Sequence, residues 1–366
     1  MVTFASLRVI QNDTKLALEP ATMKKPTISD LAKEAGVSIS TVNRVLSGSS
    51  QVKATTAQRI QGAAEKIGFY GLGTIEDQIK KNARSYRLGF LLQQSTRELY
   101  QLFGRMIREV SYTRPLDVVE PFVDFVDLLT PDNISQRLYA LGKQCDAVAI
   151  IAADHPQIGQ TIRALRDMGK PVTAYITDQS APDRAAFVGT DNWKLGRTAA
   201  WIIANMTHEE GHVAMFQGNH RYQCQDVADA SFRSYIREHA PHLTASESRP
   251  THEEPQNAYL MVRDLLKSTD DLRGIFMVGG GISGVLKALR EVPESRRKGV
   301  RLICRDIGPE TRKGLSEGLI TASLAHPMRI TTEALIQTMI DSVNAEGAHA
   351  PMQRHIPFEI ITPENL

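Results

Sequence analysis

The segment that decides the fold runs Thr27-Ile-Ser-Asp-Leu-Ala-Lys-Glu-Ala-Gly36-Val-Ser-Ile-Ser-Thr-Val-Asn-Arg-Val-Leu-Ser-Gly48. Thr27 can cap a helix through its hydroxyl, while Asp30, three residues later, can reach back to the cap. Gly36 supplies a turn that ends this helix near Ala35. Ser38 can then cap a second helix, so the segment predicts two short helices joined by a tight turn.

The second helix has one apolar side and one side suited to reading DNA. Val42, Val45 and Leu46 point inward at helical spacing, and a third helix is predicted up to Gly68 by the spacing of apolar residues after residue 59. The outward residues are short polar or base-reading types. They are Ile39, Ser40, Thr41, Asn43 and Arg44. The composition favours a three-helix DNA-binding head over the alternative, an ordinary helical hairpin.

These residues resemble the LacI/GalR family of bacterial transcription regulators, whose head reads close to T-I-x-D-V-A-x-x-A-G-V-S-x-x-T-V-S-R-V-L-N. Thirteen positions of this chain fit that pattern. They are Thr27, Ile28, Asp30, Ala32, Ala35, Gly36, Val37, Ser38, Thr41, Val42, Arg44, Val45 and Leu46. Asn43 departs from the common Ser, so the operator sequence does not carry over.

The resemblance implies a set of DNA contacts in and near the head. Arg44 would contact a base or a phosphate, and short polar side chains around it would contact base edges and backbone. Ser49, Ser50, Gln51 and Lys53 would contact flanking phosphates. The full expected set is Thr27, Ser38, Ile39, Ser40, Thr41, Asn43, Arg44, Ser49, Ser50, Gln51, Lys53, Tyr70 and Ile79.

Length and charge agree with a small head on a larger body. A chain of 366 residues exceeds what one compact core normally supports. The formal net charge is only +2, yet residues 24–87 hold eleven Lys and Arg against five Asp and Glu. Positive charge is therefore concentrated where phosphate contacts are expected. We expect a disordered extension over residues 1–23, a head over 24–71, a hinge over 72–85 and a body over 86–366.

The predicted hinge contains a short helix over residues 75–82, with Thr74 and Asp77 placed as a second capping box. Family members order such a helix on the operator and wedge a Leu into the minor groove. Here Ile79, or less favourably Ile75, is the available apolar wedge, because the family's Pro and Ala-x-x-Leu are missing. A plain amphipathic linker is the alternative interpretation.

From residue 86 onward, short apolar runs alternate with helical stretches, which is typical of parallel sheets with crossover helices. Ligands of such sheets lie beyond the carboxyl ends of the strands. The side chains there suit a hydroxyl-rich ligand with an aromatic ring under a sugar face. The expected effector-binding residues are Gln94, Tyr100, Phe103, Asp154, Asp178, Asp191, Asn192, Gly280 and Asp306.

For the body, the resemblance implies an α/β fold like that of periplasmic binding proteins. Its two lobes would close on a small effector, with lobe breaks near residue 177 and again near 306–325. Two departures separate this chain from better-known members. Ala228 stands where an effector-binding Arg is usual, and Gly279-Gly-Gly281 stands where Asn-Asp is common. The sequence therefore predicts a sugar, a polyol or a derivative of these as the effector, without identifying which one.

Two further motifs suggest other functions. Gly279 to Gly284 satisfies G-x-G-x-x-G between a predicted strand and a helix, which makes an NAD-dependent oxidoreductase the alternative function. The match lies several strand-helix units into the chain, however, whereas a dinucleotide site ordinarily opens its domain. His208-Glu-Glu-Gly-His212 satisfies H-E-x-x-H, but Gly211 should break the helix that zinc binding requires. We expect no enzyme activity, cofactor or metal.

Three widely spaced cysteines without a Cys-x-x-Cys pair indicate a reducing compartment. The sequence also predicts no membrane span. Residues 1–22 also lack the features of a signal peptide. These observations and the resemblance together predict a cytoplasmic, homodimeric regulator, most simply a repressor. Its partners would be a double-stranded DNA operator and a carbohydrate effector, with no membrane.

Overall fold

A computed structural model describes residues 25–49, 52–114, 117–345 and 350–366. The chain divides into two compact units, Met1–Ala83 and Arg84–Leu366. The expected extension over residues 1–23 and the expected DNA contacts Ser50 and Gln51 lie outside the described residues. No helix in the described part of the chain combines the length and apolar character needed to cross a bilayer.

The first unit is a four-helix head around a small core. Its helices are α1 (Ile28–Ala35), α2 (Ile39–Ser47), α3 (Ala54–Ile67) and α4 (Leu72–Asn82). The predicted capping box is present in α1, where the Asp30 amide lies 3.3 Å from Thr27 Oγ1 and Thr27 N donates to Asp30 Oδ2 at 2.9 Å. Gly36 then adopts φ 61°, a left-handed conformation that glycine accepts without a steric penalty.

The helix α4 differs from its prediction at its start. It begins at Leu72, because Leu72 N donates to Phe69 O at 3.2 Å and Ile75 N donates to Gly71 O at 3.1 Å. Thr74 therefore lies inside the helix, and the predicted Thr74–Asp77 capping box is wrong. The helix packs on α2 and α3.

The second unit contains two mainly parallel sheets. Their strands are β1 (Ser85–Gln93), β2 (Val118–Val126), β3 (Ala147–Ile150), β4 (Val172–Tyr175), β5 (Ala186–Thr190), β6 (Gly211–Gln217), β7 (Leu243–Ala245), β8 (Arg249–Pro250), β9 (Leu272–Met277), β10 (Arg301–Arg305), β11 (Ala322–Ala325), β12 (Met352–Ile356) and β13 (Glu359–Ile361). The first sheet has the order β12-β5-β4-β3-β1-β2 and the second β13-β11-β10-β9-β6-β7, with β8 beside β6. Only β13 runs antiparallel to its neighbour among the described pairs.

Helices cover these sheets and connect successive strands. They are α5 (Glu98–Tyr112), α6 (Pro131–Gln144), α7 (Pro156–Asp167), α8 (Asn192–Asn205), α9 (Gln223–His239), α10 (Pro255–Ser268), α11 (Ile282–Glu291), α12 (Glu294–Arg297), α13 (Pro309–Ser316) and α14 (Met328–Asn344), with a final 3₁₀ turn (Pro363–Asn365). The strands β3 and β4 are buried along their whole length, as expected of parallel strands covered on both faces.

The chain crosses between the two lobes three times. The strands β1 to β5 form the first lobe, and the chain enters the second lobe after Thr190 rather than near the expected residue 177. It returns after β11, at residues 326–327, because α14 packs on β5, β3 and β12 of the first lobe. A third crossing, which the sequence did not predict, separates β12 from β13 at residues 357–358.

Candidate functional site

The α2 helix of the head presents a polar outer surface. Ser38 caps it, with Thr41 N at 3.3 Å from Ser38 Oγ, and the hydroxyls of Ser40 and Thr41 each lie 2.8 Å from Ser38 Oγ. Val42 and Val45 are buried beneath. The outer residues are exposed, apart from the partly buried Thr41. They are Ser38, Ile39, Ser40, Asn43 and Arg44, with Ser49 and Lys53 exposed nearby. This arrangement brings polar donors and acceptors onto one rigid surface.

The other expected DNA contacts differ in accessibility. The Tyr70 ring is 73% exposed, and Thr27 is partly committed to capping α1. Ile79 is only 8% exposed, because α4 packs its apolar side on the head. In this arrangement Ile79 is not presented to a DNA groove, so minor-groove insertion would require α4 to leave the head.

An arginine that sequence reasoning missed holds the turn before α2. The Nη2 atom of Arg59, in α3, donates both to Ala35 O at 2.7 Å and to Gly36 O at 2.9 Å. These carbonyls belong to the end of α1, where intrahelical donors run out. Arg59 therefore satisfies the helix end and fixes the angle at which α2 leaves α1.

We expect Arg59→Ala to loosen α1 and its turn by about 1 kcal/mol, since a typical net hydrogen bond contributes about that much. Amide hydrogen exchange of residues 28–36 in the intact chain should then become about fivefold faster. Lys66→Ala is the matched control, because Lys66 also reaches α1 from α3 but forms an exposed ion pair with Glu34. Equal exchange in the Arg59 variant and the parent would contradict this role.

The body contains a cavity of about 380 Å³ between its two lobes. Residues after β1, β3 and β4 line it from the first lobe, and residues after β9 and β10 line it from the second. The wall is completed by the N-terminal residues of α5, α9, α11 and α13. The volume lies within the range of small-molecule sites, which is roughly 300–1,000 Å³.

Two tyrosines from opposite lobes meet at one glutamine in this cavity. Tyr100 of the first lobe and Tyr222 of the second both donate to Gln93 Oε1, each at 3.0 Å. Gln93 in turn donates to Ile151 O at 3.0 Å. Burial raises the pKa of both phenols, so they stay protonated and act as donors. The lobes are thereby joined by neutral hydrogen bonds.

A second contact between the lobes is ionic. Arg97 Nη1 lies 3.7 Å from Glu253 Oε2, and Glu253 also accepts from Gln225 Nε2 at 2.9 Å. Gln225 Oε1 accepts from Gly218 N at 2.6 Å. This chain of contacts fixes a buried carboxylate beside the cavity wall.

The third polar group of the cavity is centred on Asp306. Asp306 Oδ1 accepts from His326 Nδ1 at 2.5 Å and from His326 N at 3.1 Å, and Arg305 Nε lies 4.0 Å from Asp306 Oδ2. Burial would raise the pKa of the Asp306 carboxyl, but the hydrogen bonds that it accepts from His326 and the positive charge of Arg305 outweigh burial and lower the pKa to about 2. Asp306 is therefore an ionised acceptor at neutral pH.

The glycine run after β9 is required by close packing. A Cβ at Gly280 would lie 1.9 Å from Glu253 Oε2, and one at Gly279 would lie 2.2 Å from Gly218 N. At Gly284 a Cβ would lie 1.8 Å from Pro255 O, where α10 and α11 approach each other. Contacts within the protein thus account for these glycines.

Three of the nine expected effector residues, Tyr100, Gly280 and Asp306, line the cavity. Phe103 does not, because its ring packs edge-on against Tyr175 in the core at 5.9 Å. Asp178 is bound by Arg184, its Oδ2 lying 2.8 Å from Arg184 Nη2.

The remaining expected residues serve the local backbone or the contact between lobes. Asp191 caps α8 by accepting from Lys194 N at 3.0 Å, and Asn192 accepts from Thr190 Oγ1 at 3.4 Å. Gln94 lies in the turn before α5, where its carbonyl accepts from Arg97 N at 2.9 Å. Asp154 N donates to Arg221 O of the other lobe at 2.7 Å.

The structure adds cavity residues that the sequence did not indicate, namely Arg97, Tyr222, Gln225, Glu253 and Arg305. Arg97 follows β1 by only a few residues, so the expectation that ligands lie beyond the carboxyl ends of parallel strands could have identified it. Glu253 lies in an irregular segment with φ 62°, and no pattern marks it.

The H-E-x-x-H segment is not a helix, and β6 begins at its Gly211. His212 lies in β6, with His212 Nδ1 2.8 Å from Asp271 Oδ2, so no helix aligns its ring with that of His208. Within the described ranges, no group of three His, Cys, Asp or Glu side chains is placed to hold a metal ion.

Comparison with protein families covers both units. Residues 27–71 match the model described as bacterial regulatory proteins, lacI family, and residues 132–347, more than half of the chain, match that of the periplasmic binding protein domain. The chain carries a lacI-family head, and through its body it belongs to the periplasmic binding protein domain family. The two expected parts are thus present, and the expected fold class is confirmed.

Curated relatives of this chain are described as regulators. The maltose regulon regulatory protein MalI of Escherichia coli K12 is 51% identical over 49 residues, 13% of this chain and 14% of the relative. The regulator GntR of the same organism is 24% identical over 191 residues, covering 52% and 55%, and GanR of Bacillus subtilis 168 is 27% identical over 223 residues, covering 58% and 61%. The chain therefore spans less than two thirds of each of these relatives.

Solved structures with a similar fold include sugar-binding proteins. GanP of Geobacillus stearothermophilus, a glucose-galactose binding protein, is 18% identical with a TM-score of 0.68, covering 77% of this chain and 99% of that one. A solute-binding protein of Agrobacterium vitis bound with alpha-D-tagatopyranose is 17% identical with a TM-score of 0.67, covering 76% and 95%. At these identities the likeness shows the fold of the body alone.

Proposed function

We propose that this protein is a sequence-specific DNA-binding transcription regulator whose operator affinity is controlled by a small polyhydroxylated effector. The observation that carries the proposal is the exposed polar surface of α2, held by the Ser38 cap and the Arg59 contacts in a LacI-family head. An α-helix of this kind fits the major groove, where each base pair presents a distinct pattern of donors and acceptors.

The effector site is the cavity between the lobes of the body. Its wall offers hydroxyl, amide and carboxylate groups in a partly buried setting, as ligands rich in hydroxyls require. The named sugar ligands of structurally similar proteins support the same class. A ligand that favours one lobe arrangement would change operator affinity by a coupling of about 1 to 3 kcal/mol.

A homodimer is part of the proposal. One head reads only a half-site, and two-fold protein symmetry matches a pseudo-palindromic operator. Repression is the simplest mode, because a bound dimer can exclude polymerase. A cytoplasmic location follows from the same proposal, because bacterial operator DNA lies there.

The alternative of an NAD-dependent oxidoreductase has less support. The strand β9 that precedes Gly279 lies inside the second sheet, between β10 and β6, and is not the first strand of its unit. The glycines of the motif are explained by packing against Glu253, Gly218 and Pro255. The named curated relatives are regulators, and we propose no catalytic role.

Operator binding tests the role of α2. An operator is first selected from random duplexes with the purified chain. Arg44→Ala should then weaken binding by about 1 to 3 kcal/mol, because Arg44 is an exposed cation on the reading surface. Fluorescence anisotropy with the selected duplex measures the change.

Lys33→Ala is the matched control for this measurement, since Lys33 is an exposed cation on α1, outside the expected DNA contacts. It should change operator affinity by less than about 0.5 kcal/mol, as for an ordinary surface position. Equal operator affinities of the Arg44 variant and the parent would contradict the proposal that α2 contacts the DNA bases.

A further inference from the structure

Arg305 is a buried cation whose donors are incompletely used. Its side chain is only 5% exposed and lines the cavity between the lobes. Nη2 donates to Thr190 Oγ1 at 3.2 Å and to His326 Nε2 at 3.1 Å. Nε and Nη1 are buried and have no hydrogen-bond partner among the residues that the structure describes. Leaving charged donors unpaired in a buried place is costly, so an acceptor from a ligand would be stabilising.

Helix N-termini add partial positive charge to the wall of the same cavity. The helices α5, α9, α11 and α13 all begin in its wall, and none has a side-chain hydrogen bond at its N-cap. The first amides of a helix have no intrahelical acceptor, and the helix dipole places partial positive charge there. Four such ends around one cavity favour a ligand that carries negative charge.

The carboxylates of the cavity wall do not use the free donors of Arg305. Glu253 is bound by Gln225 and lies beside Arg97, and Asp306 Oδ1 is bound by His326. Asp306 Oδ2 lies 4.0 Å from Arg305 Nε, beyond hydrogen-bond distance. The other two lining carboxylates, Glu98 and Glu310, are exposed, where water screens their charge.

We propose that the effector carries an acidic group, a carboxylate or a phosphate, that binds Arg305. This inference rests on the proposed function and narrows its ligand from sugars in general to acidic sugar derivatives. A guanidinium presents donors in a planar fork that matches two oxygens of such an anion. The hydroxyls of the same ligand would meet Asp306, Tyr100 and Tyr222. An uncharged sugar would leave the Arg305 donors without an ionic acceptor.

Calorimetric titration of the intact chain with matched probes tests the proposal. The probes are D-glucose as the neutral sugar, D-gluconate as the carboxylate and D-glucose 6-phosphate as the phosphate, with the corresponding pentose and galactose series beside them. In at least one series, the acidic member should bind about 10- to 100-fold more tightly than the neutral sugar, as expected for hydrogen bonds to a charged group. The tighter of the two acids identifies the source of the anion.

Variants assign the preference to Arg305. Arg305→Gln should remove the 10- to 100-fold preference for the acid over the neutral sugar, and Arg305→Lys should keep part of the preference because the charge remains. Arg312→Gln is the control, since Arg312 is exposed on α13 outside the cavity. It should leave the preference intact. The lysine variant keeps the test valid if the glutamine variant does not fold.

The possible results distinguish failure of the acidic-group inference from failure of the proposed effector site. If neutral sugars bind as tightly as their acids in every series, or if Arg305→Gln keeps the preference, the acidic-group inference is overturned while the regulator proposal stands. If no probe of any class binds, the effector part of the proposed function fails as well. An acid preference that is lost with Arg305→Gln and kept with Arg312→Gln supports the inference.

Discussion

Operator affinity of the 366-residue chain should fall about 10³- to 10⁵-fold between 50 and 200 mM salt, if a dimer makes roughly 6 to 10 phosphate contacts. The reason is the concentration of charge in residues 24–87, where eleven Lys and Arg stand against five Asp and Glu. Each neutralised phosphate releases condensed counterions, which adds about −0.9 to the slope of log K against log salt. Anisotropy titrations at several salt concentrations measure this slope.

The same titrations decide what Arg44 contacts. If Arg44 binds a phosphate, Arg44→Ala should make the slope shallower by about 1 per head and weaken all duplexes alike. If Arg44 contacts a base edge, the variant should keep the slope of the parent, and its preference for the selected operator over other duplexes should decrease. Lys33→Ala serves again as the surface control. A parent slope near zero would contradict electrostatic binding by the head.

Asp306→Asn should weaken effector binding about 100-fold. The Asp306 carboxylate lines the cavity, and its pKa of about 2 keeps it ionised at neutral pH. Two ligand hydroxyls would lose a charged acceptor, and each such hydrogen bond contributes roughly 1.5 to 3 kcal/mol to the binding free energy. The amide oxygen of asparagine compensates part of this loss. Asparagine is chosen because residue 306 has φ 61°, a left-handed conformation that Asn tolerates better than Ala.

Asp271→Asn is the matched control for Asp306→Asn. Asp271 precedes β9 at the opposite end of the second sheet, outside the cavity, where it is paired with His212. Calorimetry with the tightest probe should find its affinity unchanged. If Asp306→Asn binds that probe as well as the parent does, the cavity assignment of Asp306 is refuted.

Much of the fold follows from local sequence pattern. The runs at 87–92, 147–151 and 212–216 are apolar enough to predict buried strands, and the structure has β1, β3 and β6 there. The capping residues Thr27 and Ser38 and the turn at Gly36 also predict the first two helices of the head, because the signals are local in sequence.

The cavity was less predictable because its residues meet through the fold. Position after a strand end correctly indicated Asp306 as a cavity residue. The same criterion also indicated Asp178 and Asp191, which instead accept hydrogen bonds from Arg184 and Lys194 N. A single sequence cannot distinguish a carboxylate that caps a helix from one that lines a cavity. Glu253 and Tyr222 reach the site through long-range packing, with Tyr222 bonded to a residue 129 positions away.

The three crossings between lobes affect how the nascent chain can fold. The first sheet ends at its edge strand β12, residues 352–356, which leaves the ribosome only after almost the whole second lobe has been made. Domains generally fold as units during synthesis. Here the first lobe has to wait, with β5 and the site for α14 uncovered, until the last tenth of the chain emerges. Vectorial synthesis therefore completes both lobes almost together, and the effector cavity between them is finished at the same moment.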